Sequence, residues 1–415
     1  MATTAVISGT TPTSTGTASY TSTGFGTPQA ALIFISGANT TNNPQAHAFL
    51  GFGSTDGTND IGFGNVQEDA VTTTNTFKAS SSTACIYLPN VSGTAEVVGV
   101  FSAWTTDGIT INFTTVGSVA YHIQVVLIKG CNNAEVRTQA MSSVAADTVI
   151  SDLGFKPNLV FCMTSWVNSD GITAAVRPSF GAAHNSSTDT VTQCCIGWNH
   201  PDAIVLGSDP CNNIAYNNRV GVQSNYNADT RYITVGSFTS SGFTITTDSI
   251  PGGSMNLGFL SLDTGDTDGV SVDIVDSPTT GTWNCETPGF QPQTVILGLV
   301  TGSTVNAYNS TDPYAVGFGL FDDTNEACLG FDHDDAASTT DTQSNYSTSN
   351  AISLYHYSGG HVKLIEGAFS SFDSLGYNMT MSTTYGTALK WLSIAIRGAT
   401  SVNQLLVAQN NTGGF

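Results

Sequence analysis

Short apolar runs, each entered through glycine, phenylalanine and proline, recur three times along the chain. Gly24-Phe25 and Pro28 lead into Leu32-Ile33-Phe34-Ile35, Gly154-Phe155 and Pro157 into Leu159 to Met163, and Gly289-Phe290 and Pro292 into Val295 to Leu299. Continuous runs of this length, and that of Val125 to Ile128, predict central strands covered on both faces. Elsewhere the pattern alternates. Ile109-Thr110-Ile111-Asn112-Phe113 and Phe243-Thr244-Ile245 have period two, the mark of half-buried strands. Between the runs lie Gly, Ser, Thr, Asn and Asp, the turn formers. No apolar stripe of helical period runs beyond two turns, and the abundance of Thr, Ser and Val favours strand.

The apolar pattern is itself repeated. Each unit closes on a phenylalanine followed by a glycine-led strand: Phe101 with Gly108, Phe238 with Gly242, Phe369 with Gly376. The three glycines lie 134 residues apart both times. A period that long indicates a duplicated domain, because solenoid repeats run to roughly 20–50 residues. The final strands Ala120 to Gly130, Met255 to Gly265 and Leu389 to Gly398 also correspond. The boundaries are therefore 1–130, 131–265 and 266–398, with a tail over 399–415. The expected fold is all-β: three tandem homologous antiparallel β-sandwich domains, jelly-roll-like, each large enough to bury its own core. The middles of the units have diverged most, although Phe52-Gly53 and Phe318-Gly319 match, with Phe180-Gly181 a weaker counterpart.

Charge narrows the function. Thirty-one acidic residues against ten basic ones give a formal charge of −21. Nucleic acid is disfavoured as a partner, because binding phosphates needs Lys or Arg to displace counterions. No stretch approaches the roughly 20 apolar residues of a membrane helix, so membrane insertion is not expected. Met1-Ala2-Thr3-Thr4-Ala5 lacks the basic and apolar regions of a signal peptide, which points to synthesis in a cytosol without standard export. The surface, low in charge density and rich in Thr, Ser, Asn and Gly, is nevertheless of an exterior type.

Candidate chemistry is sparse. The eight cysteines do not recur at matching positions and are expected to be buried thiols. Cys194 and Cys195, adjacent on a strand, should point to opposite faces. Without Cys-x-x-Cys or a nearby pair of His, zinc is not expected. The densest acidic patch is Asp332, Asp334 and Asp335; with Asp266 and Asp268, it is the candidate for calcium, the one cofactor the sequence suggests. The alternative is a solvated loop. No Gly-x-Ser-x-Gly or His-Glu-x-x-His is present, and the seven histidines do not align between the units, so an enzyme is not expected. Trp166 and Trp198 sit beside turn formers and are the candidate sugar-stacking residues, against the plainer reading of packing aromatics. Trp391 lies in a core strand pattern. In the tail, Leu405, Leu406 and Val407 could add a strand to a neighbour's sheet edge in assembly.

The Gly-Phe-x-Pro opener before a hydrophobic strand, the Phe…Gly closer and the strand Trp391 to Ile396 together resemble a β-sandwich domain of structural and tail-associated proteins of tailed bacteriophages, itself similar to concanavalin-like or jelly-roll sandwiches. The likeness covers nearly the whole chain, although the first opener departs from it, with two residues between Phe25 and Pro28. It implies a non-enzymatic virion protein on the particle exterior, as capsid decoration or as a tail or fibre component. Its partners would be other virion proteins and copies of itself. Three similar modules can cover a pseudo-symmetric surface or provide avidity. The alternative is a carbohydrate-binding adhesin that recognises a host-surface glycan, with a polysaccharide depolymerase behind it.

Overall fold

The computed structural model describes residues 1–141, 145–205, 211–223, 231–247, 255–307, 309, 314–334 and 339–398. Strands make up 63% of the chain, and no helix is present among the described residues. The strands form three broad and three narrow antiparallel sheets. The first broad sheet takes from its own segment, in order, Thr3–Thr10, His122–Lys129, Ala30–Ser36, Ala48–Thr55, Asp60–Gln67 and Thr76–Ser81. The second runs Asn133–Met141, Met255–Asp263, Leu159–Thr164, Ser179–Asn185, Val191–Asn199 and Asn212–Tyr216. The third runs Val270–Asp276, Lys390–Ile396, Thr294–Val300, Tyr314–Asp322, Glu326–Asp334 and Asp341–Ser347. The order is the same each time. The strand after the Gly-Phe opener lies third, between the last strand of its segment and a three-stranded meander.

Each broad sheet is covered on one face by a four-stranded narrow sheet, built around Gly108–Thr115, Gly242–Thr247 and Tyr377–Thr383 respectively. Strand alternation dictates the filling. In the first sandwich Ile33, Val125 and Leu127 meet Ile109, Ile111 and Phe113. Val160 and Phe259 against Phe243 and Ile245 repeat this in the second, and Leu297 and Trp391 against Tyr377 and Met379 in the third.

The recurring glycines have steric reasons. Gly24, Gly154 and Gly289, the opener glycines, have φ of 80°, 74° and 71°, the left-handed region where a Cβ is costly. At the closers, a Cβ on Gly108, Gly242 or Gly376 would lie 2.0, 1.8 or 1.8 Å from the carbonyl oxygen of the adjacent strand.

The other faces of the broad sheets explain why the opener strands are apolar throughout. Leu32 and Phe34, Phe161 and Met163, and Ile296 point away from their own sandwiches into one common core shared by all three broad sheets. At its centre are Phe52, Phe180 and Phe318, which occupy the same register position in the three sheets. Their ring centroids lie 5.6 Å (52–180), 5.9 Å (52–318) and 5.1 Å (180–318) apart. The broad sheets are thus arranged about an approximate three-fold axis through these rings.

The ring is also laced by backbone. The loop after each opener strand reaches the last meander strand of a neighbour. Gly171–Ala174 pairs with Thr76–Ser81, and Gln45–Ala46 pairs with Asp341–Ser347. Val305 and Asn309 bridge to Ala215 and Asn213. Second reaches first, third reaches second and first reaches third, so the exchange closes on itself.

Candidate functional site

The approximate axis has a polar end. Phe52, Phe180 and Phe318 pair with Phe63, Ile196 and Leu329. Four residues beyond each partner stand Gln67, His200 and His333, which are 1%, 1% and 0% exposed. Opposite them on the next strand are Thr76 and Thr342. In the second sheet the matching position is Cys211, which precedes the Asn212–Asn199 pair. Gln67, His200 and His333 therefore hold equivalent positions at the ends of the three fifth strands, beside Thr76, Cys211 and Thr342. Described residues beyond these ends bond across the sheets: Ala70 N–H donates to Thr340 O, Thr340 N–H to Val71 O, and Thr74 N–H to Ile204 O.

Within this cluster Cys211 Sγ lies 3.4 Å from His333 Nε2. The His200 and His333 rings are 4.0 Å apart at 75°. One ligand atom from each of His200, Cys211 and His333 lies within 4.8 Å of the others. Gln67 Nε2 donates to Tyr314 Oη at 3.1 Å, and the Tyr314 ring sits 5.3 Å from that of His333. The Gln67 Oε1 atom is buried and accepts no hydrogen bond among the described residues. The expectation that the histidines do not align between units is thereby corrected. Gln67, His200 and His333 are spaced 133 residues apart, one short of the repeat. That interval was the signal in the sequence. It is missed when histidines alone are compared, because the first member is a glutamine.

The residues singled out from sequence are scattered. Trp166 and Trp198 are 5% and 0% exposed, so neither presents a face on which a sugar could stack. Trp198 packs in the common core against Phe52, Phe318 and Phe331; Trp166 closes the second sandwich. The turn formers beside them mark strand ends that are covered by neighbouring sheets. Asp332 and Asp334 belong to a strand rather than a solvated loop and are 0% and 6% exposed; Asp335 lies outside the described residues. Asp332 points to the opposite face from His333 and pairs with His361 Nδ1 at 2.5 Å. Burial raises the pKa of Asp332 despite that bond; burial opposes the charged ring of His361 too, but the carboxylate outweighs it and raises the ring's pKa.

Asp266 is engaged by the Arg397 guanidinium, which donates through Nε at 3.0 Å and Nη2 at 3.1 Å. A fixed cation therefore already stands where calcium was considered, and Asp268 accepts from Ser187 N–H instead. Leu405, Leu406 and Val407 lie outside the described residues. All eight cysteines are buried thiols, and Cys194 and Cys195 enter different apolar clusters, as strand alternation requires. Trp391 is fully buried.

Two open clefts lie at matching corners of the third and first sandwiches, with volumes of about 420 and 370 Å³. Each is bordered by the end of the opener strand and by the narrow sheet's edge. His356, Tyr357, Tyr385 and Asn309 line the third; Asn39, His47, Asn90 and Tyr121 line the first. Among the described residues no helix is long and apolar enough to cross a membrane. Comparison with protein-family models, curated proteins and solved structures returns no match.

Proposed function

We propose that the chain is a non-enzymatic structural protein exposed on the exterior of a tailed-bacteriophage virion, built from three homologous jelly-roll-like sandwiches. The observation that carries this reading is the closed exchange of backbone pairing between sheet edges around the common core. It makes one chain behave as a pre-assembled trimer, a stiff block suited to a position of three-fold or pseudo-three-fold symmetry on a particle. The outward narrow sheets support it. Their exposed faces carry cross-strand hydroxyl pairs, Ser19–Thr110 at 2.8 Å, Ser237–Thr244 at 3.1 Å and Ser370–Thr380 at 2.8 Å, which give a neutral, polar skin. A net charge of −21 keeps such a block soluble at high local concentration.

Immunogold microscopy of purified particles tests the reading. Label over the head assigns capsid decoration, and label confined to the tail assigns a tail or fibre component. Particles without label remove the virion role. The matching clefts favour one second reading, adhesion to a host-surface glycan, since Tyr385 is 41% exposed beside Asn309 and His356. Glycan-array binding that falls on Tyr385→Ala would support that role, and a blank array would exclude it for the glycans displayed.

A further inference from the structure

We infer that His200, Cys211 and His333 form a binding site for one thiophilic divalent cation of the zinc type at the polar end of the approximate three-fold axis. Three observations converge. The first is chemical: an imidazole pair and a thiol, all at most 2% exposed, gather one ligand atom each within 4.8 Å of the others. This is the borderline-soft donor set that selects zinc over calcium or magnesium. The second is metric. With Zn–S about 2.3 Å and Zn–N about 2.0–2.1 Å, two ligands on one tetrahedral ion stand roughly 3.5 Å apart. Cys211 Sγ and His333 Nε2 are separated by 3.4 Å.

The third observation is positional. The same register position in the first sheet holds Gln67, whose buried Oε1 has no donor among the described residues and adds an acceptor to the three ligands at the polar end. Coordination requires Cys211 as thiolate, its proton passing to solvent as the sulfur–metal bond forms. His200 and Cys211 come from the end of the second broad sheet and His333 from the third, so the ion would tie two members of the ring together. Its role would be that of a structural staple, independent of where on a particle the protein sits.

The test uses the full chain produced in zinc-supplemented medium, desalted and measured for metal by plasma mass spectrometry. About one zinc per chain is expected, falling to background in Cys211→Ala and in His333→Ala but retained in Cys328→Ala, which removes a buried thiol elsewhere in the third sandwich. Protein made in cobalt-supplemented medium should show the visible bands of tetrahedral Co(II) and a thiolate-to-cobalt charge-transfer band, both lost in Cys211→Ser. Should the alanine variants fail to fold, the intact protein decides. A strong chelator should lower its melting temperature, and added zinc should restore it. Zinc at background in the wild-type chain, with no cobalt–thiolate band and no response to chelator, would overturn the site and leave a Cys–His hydrogen bond in its place. Zinc retained undiminished by a folded Cys211→Ala chain would also overturn it.

Discussion

Phe52, Phe180 and Phe318 show how much one side chain can decide. Each is followed by a glycine, and the pair has divided labour. The ring goes to the common core, while the glycine faces the narrow sheet, where a Cβ on Gly53, Gly181 or Gly319 would lie 2.3, 2.3 or 2.0 Å from a carbonyl oxygen. Phe318→Ala should cost about 3–5 kcal/mol in urea unfolding, as a large buried aromatic does, and Gly319→Ala about 1–3 kcal/mol by overpacking. His122 offers a pH test. Its ring stacks on Tyr346 of the third sandwich at 4.0 Å and 7°, and burial drives its pKa from 6.5 down to about 3. The unfolded chain therefore binds this proton below pH 6.5 while the folded one does not, until pH approaches 3. Stability should fall through that window, and His122→Phe should lose less over the same range in parallel denaturation curves.

Single elements were legible where pattern and geometry coincide. The opener strands and the period-two strands follow from apolar spacing, since a strand's environment is written in its alternation. What covers the outer face of a strand is not written there. Leu159 to Met163 reads as buried on both sides whether the cover is a helix, another sheet or a neighbouring unit. The same ambiguity hid Trp198, whose flanking turn formers suggested exposure although a second sheet lies over it. The straps were hidden for a related reason. Gly171–Ala174 is a four-residue edge strand with no apolar signature, and only its partner, Thr76–Ser81, defines it. Replacing residues 171–174 with a Gly-Ser linker should strip hydrogen-exchange protection from the amides of Thr76–Ser81 that face this strap, and leave those paired to Asp60–Gln67 and the Tyr377–Thr383 sheet unchanged. Equal loss in all of them would mean that the strap supports the whole ring rather than one edge.

At the scale of the whole molecule, sharing one core among three sandwiches removes their independence. A fragment comprising residues 131–265 would expose Phe161, Met163, Phe180, Ile196, Trp198 and Leu260 as one apolar face, far more than a soluble monomer tolerates. The fragment should therefore aggregate or self-associate on size-exclusion chromatography, and the full chain should melt in one calorimetric transition. A soluble monomeric fragment, or three resolved transitions, would contradict the shared core. The closed exchange of straps also sets a timetable for synthesis. Gln45 and Ala46 are made well before the strand they must reach, Asp341–Ser347. Until that strand emerges the nascent chain carries an open sheet edge and an uncovered apolar face. The hazard of misassembly is thus concentrated in that interval, and the finished ring, with these edges paired, is harder to derail than any of its precursors.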